Sequence, residues 1–253
     1  MNLPEGLMAD VAAWHPHPRA FITISGAHLY GFPSRDSDID LRGLHVQPLR
    51  EVVSLEPGRD THSRMWFRDG LEVDVVTHDV AKYCRLLLRC SGEILEQLTS
   101  PLIVETSPLH DELLALTPSL VCTGYARHYF GFSRGQWNQF GKENRLKPLL
   151  YTFRTLLTGI HLMRAGEVET DLTVLAAEYG PAYLPELIEA KRSAEHGGTP
   201  ADLLDRDRFT ADFEKLTARL ETERDTSPLP DVPTCRDELN ELVIRTRLAA
   251  VRE

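Results

Sequence analysis

The sequence predicts an α+β fold, in which a small mixed β-sheet with flanking helices is followed by a helical domain. The first hundred residues contain three segments with the patterning of strands, whereas the sequence from about residue 101 onward has mostly helical periodicity. We therefore expect two parts: a core in residues 1–100 and a mainly helical domain in residues 101–253 that closes over a cleft.

Three strands are predicted in the core. Residues 20–25 form a short apolar run that is rich in β-favouring side chains and ends at a glycine. Residues 38–46 and Leu71–Asp79 alternate between polar and apolar side chains, which is the two-residue period of a strand. Helical spacing follows the third strand directly, so we expect helices to cover the sheet.

Helices are predicted for most of the remaining sequence. The best-defined one covers residues 147–166, because Pro148 suits a first helical turn and Gly166 suits a stop. Its expected buried stripe consists of Leu150, Phe153, Leu157, Ile160 and Met163. Further helices are expected over residues 80–90, 92–98, 182–194, 210–223 and 238–251, with a linker at residues 225–234, which contain three prolines.

The composition excludes several classes of protein. Hydrophobic residues make up 42% and charged residues 26% of the sequence, which is typical of globular proteins and not of disordered or collagenous chains. No apolar run approaches the roughly 18 residues of a membrane-spanning helix, and we expect no secretory signal. The four cysteines, Cys84, Cys90, Cys122 and Cys235, form no CxxC pair, so we expect reduced thiols in a cytoplasmic protein.

The distribution of charge predicts one local anion site. The net charge of −10 argues against a protein that coats itself in nucleic acid. Residues 119–165 nevertheless contain seven basic residues and a single acidic residue, and the segments on either side are acidic. This basic island indicates an anion-binding surface, although a cluster of solvated basic side chains would give the same pattern.

Three acidic side chains are candidate metal ligands. Asp38 and Asp40 are two residues apart in a predicted strand and therefore project from one face. Two carboxylates so close repel each other, and a fold tolerates them best with cations between them, such as two Mg²⁺ ions roughly 4 Å apart. Asp74 on a later strand is the candidate third ligand, with Glu72 on the same face as an alternative. An isolated Asp-x-Asp pair is also common at solvated strand ends.

One face of the predicted helix 147–166 is polar and free of acids. Lys147, Tyr151, Arg154, Thr158 and His161 fall on this face, opposite the apolar stripe. A Lys and an Arg two turns apart, with a Tyr between them, can bracket a triphosphate or stack on a base. The alternative is an exposed basic helix face.

The histidines are not expected to form a zinc site. His15, His17, His45, His62 and His78 are scattered through the first eighty residues without the spacing of zinc ligands.

The order of these features resembles the DNA polymerase β-like nucleotidyltransferase superfamily. An apolar strand ends in the turn Ser25-Gly26-Ala27, eleven residues separate Gly26 from Asp38, and a later strand carries a further acid. More narrowly, the block SGAHLYGFPSRDSDIDLRG is similar to predicted bacterial nucleotidyltransferases associated with RNA repair and RNA ligase systems. The segments SGEILEQL and 147–154 resemble the later Gly…Glu and Lys…Arg helices of that group. The resemblance covers most of residues 20–165.

The resemblance implies roles for the acids. Asp38 and Asp40 would bind two Mg²⁺ ions, with Mn²⁺ as a substitute, and Asp74 would complete the site of the catalytic metal. Residues 1–100 would then be the catalytic core, and residues 101–253 would close the nucleotide cleft.

The resemblance also implies a nucleotide site at the glycine turn. Gly26 and its neighbour would hold the triphosphate of an NTP. The serine usual in the superfamily is replaced by Ala27, so Ser25 or Ser37 would have to supply a hydroxyl.

The predicted function is Mg²⁺-dependent transfer of an NMP from an NTP to an acceptor hydroxyl, with release of pyrophosphate. Lys147, Tyr151 and Arg154 would contact the nucleotide, and an RNA 3′ end is the acceptor that the family association suggests. Any contact with RNA is expected to be short and to use residues 119–165. The alternatives are transfer to a protein or a small molecule, or a non-catalytic nucleotide-binding module.

Overall fold

A mixed five-stranded sheet lies at the centre of the computed structural model, which describes residues 3–193 and 205–249. Its spatial order is β3-β4-β2-β1-β5. The central strands β2 and β4 are parallel, and the other neighbouring pairs are antiparallel. The strands are β1 (Arg19–Ile24), β2 (Ile39–His45), β3 (Thr61–Arg68), β4 (Leu71–Asp79) and β5 (Ile103–Glu105).

Helices account for most of the other described residues. In this part of the chain no helix is both long enough and apolar enough to cross a membrane. A short 3₁₀ turn at Thr123–Tyr125 precedes two long helices, α8 and α9, which pack against each other. The helices are α1 (Leu7–Trp14), α2 (Gly26–Leu29), α3 (Leu49–Val52), α4 (Val80–Leu88), α5 (Gly92–Leu98), α6 (Pro108–Ala115), α7 (Thr117–Leu120), α8 (Ala126–Glu143), α9 (Leu146–Ala165), α10 (Leu172–Tyr179), α11 (Leu184–Ser193), α12 (Arg206–Thr226) and α13 (Arg236–Ala249).

The predicted α+β class is confirmed, and each predicted strand and helix is present with its ends shifted by a few residues at most. Residues 194 and 250–251, predicted to end two helices, lie outside the described residues. Two strands were not predicted. β3 has large apolar side chains that face solvent, as in Met65 and Phe67, and β5 has only three residues, so neither carries the usual signal of a half-buried strand.

The sheet has an apolar core on each face. On one face a small cluster joins α1 to the strands through residues such as Leu7, Ile39 and Val73. On the other face a much larger cluster joins the sheet to the long helices, with α9 at its centre. The predicted stripe of α9 is entirely buried. The four cysteines are free thiols, as predicted.

The C-terminal helix α13 is attached to the sheet by a buried ion pair. Arg247 contacts Asp79 at the end of β4, and the other arm of its guanidinium donates to the carbonyl oxygen of Gln47 at 2.6 Å. Asp79 also caps α4 by accepting from the backbone N–H of Ala81 at 3.0 Å. Only 5% of Arg247 and 2% of Asp79 are exposed. The pair therefore couples residues that are far apart in the sequence.

We predict that Arg247→Leu lowers the free energy of unfolding by about 3–5 kcal/mol, because it leaves the buried Asp79 carboxylate without its cation. Arg245→Leu is the matched control, since its ion pair with Glu112 lies at the surface, and we expect no measurable change. Urea denaturation followed by circular dichroism measures both. Equal losses in the two variants would contradict this role of the buried pair.

Candidate active site

The turn after β1 requires a glycine at position 26. Gly26 has a φ of +64°, a conformation that other residues adopt only with strain. A Cβ atom at this position would lie 2.0 Å from Oδ2 of Asp40. The backbone N–H of Ser25 donates to the carbonyl oxygen of Asp40 at 2.8 Å, so β1 and β2 are joined here. The glycine turn and the Asp40 carboxylate are therefore in direct contact.

The parallel pairing of β2 with β4 places Asp40 beside Asp74. The two are register partners, so their side chains lie on the same face of the sheet. Nη2 of Arg42 is 2.8 Å from Oδ1 of Asp40 and 2.8 Å from Oδ2 of Asp74. Glu72 lies two residues before Asp74 and is paired with Phe67 of the edge strand β3. Asp74 is thus the acid of β4 that shares a cation with Asp40.

Asp38 and Asp40 line one cavity of about 290 Å³. The basic side chains of Arg145, Lys147 and Lys191 line the same cavity as these acids. Tyr151 of α9 also lines the cavity, so the α9 helix faces the carboxylates. The remaining lining residues are Ala27, Phe32, Ser34, Asp36, Ser37 and Leu146. The cavity therefore combines negative charge, positive charge and hydroxyl groups within one small volume.

The carboxylates suit a hard divalent cation. Burial raises the pKa of Asp40 above its ordinary value; Arg42 opposes this effect, and the nearby charges of Asp74 and Asp38 add to it. Carboxylate oxygens are the ligands that Mg²⁺ and Mn²⁺ prefer, and a cation would relieve the repulsion among the three acids. Arg42 already places one positive charge between two of them. The donor set therefore fits the metals expected from the sequence.

Two residues of the cavity that the sequence analysis did not identify are Lys191 and Ser34. Nζ of Lys191 donates to Oγ of Ser34 at 2.8 Å, and Oγ of Ser34 is 3.0 Å from Oγ of Ser37. Burial lowers the pKa of Lys191, and the carboxylate of Asp36 opposes this effect. Lys191 lies at the end of α11, 157 residues from Ser34. No local pattern in the sequence could have linked the two.

The predicted polar face of α9 is not one open surface. Lys147 is exposed, but Arg154 is only 3% exposed and its Nη1 is 2.6 Å from Oε1 of Glu96 on α5. Thr158 is fully buried. The stripe itself contains no acid, but Arg154 is paired with an acid from a different helix, which helical spacing within α9 cannot indicate.

Arg154 and Glu96 form a buried polar group behind the glycine turn. The hydroxyl of Tyr30 donates to Oε2 of Glu96 at 3.1 Å, and the guanidinium of Arg154 lies 3.9 Å from the centre of the Tyr30 ring. Burial alone would lower the pKa of Arg154, but the carboxylate of Glu96 raises it. The group lines a second cavity of about 180 Å³ with Ser25 and Asp40. Arg154 therefore reaches the site, but with its charge already paired.

The histidines are not scattered as the sequence suggested. His17, His45 and His62 come together at one place in the sheet, with ligating atoms within 4.8 Å of one another. Residue spacing does not indicate this cluster, because three different segments of the chain supply the three side chains.

A strand that ends in a glycine turn, followed by paired aspartates on a mixed sheet, defines the class of polymerase β-like nucleotidyltransferases. The family model described as RlaP, the RNA repair pathway DNA polymerase beta family, matches residues 5–245. The chain belongs to this family. Nucleotidyltransferases of this family generally use divalent metals.

Individual proteins show weaker similarity. The chain is 26% identical over 159 residues to the uncharacterized protein MJ0002 of Methanocaldococcus jannaschii. The alignment covers 60% of this chain and 63% of MJ0002, so the chain spans less than two thirds of the length of that protein. It is 28% identical over 181 residues to the uncharacterized protein YcgL of Bacillus subtilis, covering 68% of each. A crystal structure of a nucleotidyltransferase-like protein from Exiguobacterium sibiricum aligns with 87% of this chain and 72% of that chain at 13% identity, with a TM-score of 0.33.

We predict that Gly26→Ala destabilises the protein more than Gly70→Ala does. Both glycines have positive φ, but a Cβ atom at Gly70 would meet nothing within 4 Å. Gly70→Ala therefore measures the backbone cost alone, about 1–2 kcal/mol. Gly26→Ala should cost roughly 1–3 kcal/mol more, because the methyl group displaces the Asp40 carboxylate. Equal unfolding free energies in urea would contradict the close contact between Gly26 and Asp40.

Proposed function

We propose that this protein is a Mg²⁺-dependent nucleotidyltransferase that transfers an NMP from an NTP to the 3′ hydroxyl of an RNA. The observation that carries the proposal is the cavity that Asp38 and Asp40 line together with Lys147 and Lys191. A triphosphate with bound divalent ions needs both kinds of wall: carboxylates for the metal and cations for the phosphate oxygens.

The chemical step is an in-line displacement at the α-phosphorus of the NTP. The acceptor oxygen forms a new P–O bond, the bond from the α-phosphorus to the bridging oxygen breaks, and its electron pair leaves with pyrophosphate. The proton of the acceptor hydroxyl passes to solvent. Asp38, Asp40 and Asp74 would hold the metal, which when bound lowers the pKa of the attacking hydroxyl and neutralises the phosphates.

The protein's own residues position the triphosphate. Lys147 and Lys191 face the carboxylates and would bind the outgoing phosphate groups by charge-assisted hydrogen bonds. The Ser34–Ser37 pair offers hydroxyls to the same cavity, so it is the candidate for the function lost at Ala27. Arg154, which is paired with Glu96, is better suited to positioning Tyr30 and the glycine turn than to binding phosphate directly.

The cavity also supports the proposed division into a core and a closing helical domain. Its carboxylates come from residues before 100, and its basic side chains come from α9, α11 and the residue before α9. We propose that the helical part supplies the phosphate-binding wall.

A third cavity, of about 300 Å³, offers a path for the acceptor. It shares Arg145, Lys147 and Tyr151 with the first cavity and continues to the end of α8 through Gln136 and Gln139. Six of the seven basic residues in the 119–165 island are exposed, Arg154 being the buried one. An exposed basic surface that adjoins the nucleotide cavity favours a polyanionic acceptor over a neutral small molecule. The family's link to RNA repair favours RNA.

The acceptor can be identified directly. The protein is incubated with each α-³²P-labelled NTP, Mg²⁺, and either a short RNA with a free 3′ hydroxyl or the same RNA blocked at its 3′ end. We expect label on the free RNA and none on the blocked RNA. Label on the protein itself, or tight NTP binding without release of pyrophosphate, would overturn the proposal in favour of protein modification or nucleotide sensing.

We predict that Asp40→Asn lowers kcat at least about 1000-fold while the fold is retained, because several kcal/mol of transition-state stabilisation depend on the metal site. Glu72→Gln is the matched control and should retain activity, since Asp74 and not Glu72 shares Arg42 with Asp40. Labelled-product formation measures kcat, and circular dichroism verifies the fold. Activity of a folded Asp40→Asn protein would exclude the metal site.

We predict that Lys147→Ala raises the KM for the NTP about 10- to 100-fold, because a hydrogen bond to a charged group is worth about 1.5–3 kcal/mol. Lys142→Ala is the control: this lysine is exposed on α8 and does not line the nucleotide cavity. Its KM for the NTP should match that of the wild type. A normal KM in Lys147→Ala would show that α9 does not contact the triphosphate.

A further inference from the structure

Three histidines from separate segments meet at the opposite end of the sheet from the carboxylates. His17 lies just before β1, His45 ends β2, and His62 lies near the start of β3. Their ring centres are 5.0–5.4 Å apart. The potential ligand atoms of the three rings all lie within 4.8 Å of one another. Zinc bound at about 2.0–2.1 Å would bring such nitrogens to roughly 3.4 Å, which small side-chain rotations can provide.

Two of the three rings present a buried nitrogen that has no partner. Among the described residues, Nε2 of His45 and Nε2 of His62 are buried atoms without a hydrogen bond. A buried imidazole nitrogen left in this way costs free energy unless something binds it. Two such atoms in one three-histidine cluster point to a missing ligand between the rings.

Hydrogen bonds behind His45 hold its ring in place. Its Nδ1 is 2.9 Å from Oγ1 of Thr77, which is also 2.7 Å from Nε2 of His15. Nδ1 of His15 lies 2.8 Å from the carbonyl oxygen of His17. A metal on Nε2 of His45 leaves the ring proton on Nδ1, which then donates to Oγ1 of Thr77.

A carboxylate lies next to one of the three rings, that of His17. Oε2 of Glu51, on α3, is 3.4 Å from Nε2 of His17. It can serve as a fourth ligand, which completes the tetrahedral coordination that zinc adopts at structural sites.

We propose that His17, His45 and His62, with Glu51, bind one transition-metal ion of the zinc class. Imidazole nitrogen is a ligand for zinc and its neighbours, whereas Mg²⁺ prefers oxygen, so this site is chemically distinct from the carboxylate site. The ion joins the segment before β1, the end of β2, the start of β3 and the helix α3. Its role is to stabilise this end of the sheet.

The proposed zinc site is independent of the proposed transferase function. His45 follows Asp40 by five residues in β2, so the two lie about 16 Å apart along the strand. The offset of five positions is odd, which places their side chains on opposite faces of the sheet. A failure of one proposal therefore leaves the other unaffected.

Zinc binding to the full-length protein tests the proposal. The protein is prepared without an affinity tag, stripped with a chelator, and titrated with ZnCl₂ by calorimetry in the presence of excess Mg²⁺. We expect one zinc per chain, not displaced by Mg²⁺, and a rise in Tm of roughly 5–10 °C at 100-fold excess over Kd. His62→Ala should weaken zinc binding at least about 100-fold, because mutation of a residue that only supports a ligand already lowers metal affinity 10- to 100-fold.

Three further variants make the result decisive. Glu51→Gln should weaken zinc binding and abolish the rise in Tm. Because this position is partly exposed, the variant tests the site even if His62→Ala folds poorly. His161→Ala, which removes a histidine outside the cluster, and Asp40→Asn, in the carboxylate site, should both bind zinc with wild-type affinity. No stoichiometric zinc binding, or equal affinity in His62→Ala and His161→Ala, would overturn the proposal.

Discussion

The candidate active site depends on the parallel pairing of β2 with β4, which places two carboxylates side by side on one face of the sheet. Asp40 is half-buried, so its charge and that of Asp74 repel each other strongly unless cations lie nearby. Arg42 supplies one such cation from within the same strand. Lys147 and Lys191 supply others from across the cavity. These cations are the groups that make this concentration of negative charge tolerable, and the proposed metal would add to them.

A second buried charge pair supports that site from behind. Glu96 and Arg154 are almost completely excluded from solvent, and the loss of their hydration is offset only by close pairing and by the contacts with Tyr30. The pair fixes α5 against α9 directly under the turn at Gly26. Two parts of α9 therefore have different roles. Its first turn presents Lys147 to the cavity, and Arg154 in its middle fixes the helix against α5.

The two faces of the sheet carry groups of different chemistry. The face that packs against the long helices presents carboxylate oxygens, which suit hard cations. The opposite face, near α1, presents imidazole nitrogens, which suit zinc-like ions. Both sites use β2 and lie next to β4, so the parallel pair that positions the acids also orients His45 through Thr77. The metal proposed for each site follows from the chemistry of its donor atoms.

The sequence by itself determined the fold class, three of the strands, the long helices and the residues of the glycine turn and the Asp-x-Asp strand. These are local signals, since strand alternation, helical periodicity and a required glycine all act within a few residues. Only the tertiary structure decided which distant side chains meet. It buried Arg154 against Glu96, brought Lys191 to Ser34, chose Asp74 over Glu72, and assembled the three histidines. The physical reason is that such pairings depend on strand register and helix packing, which no spacing within one segment encodes.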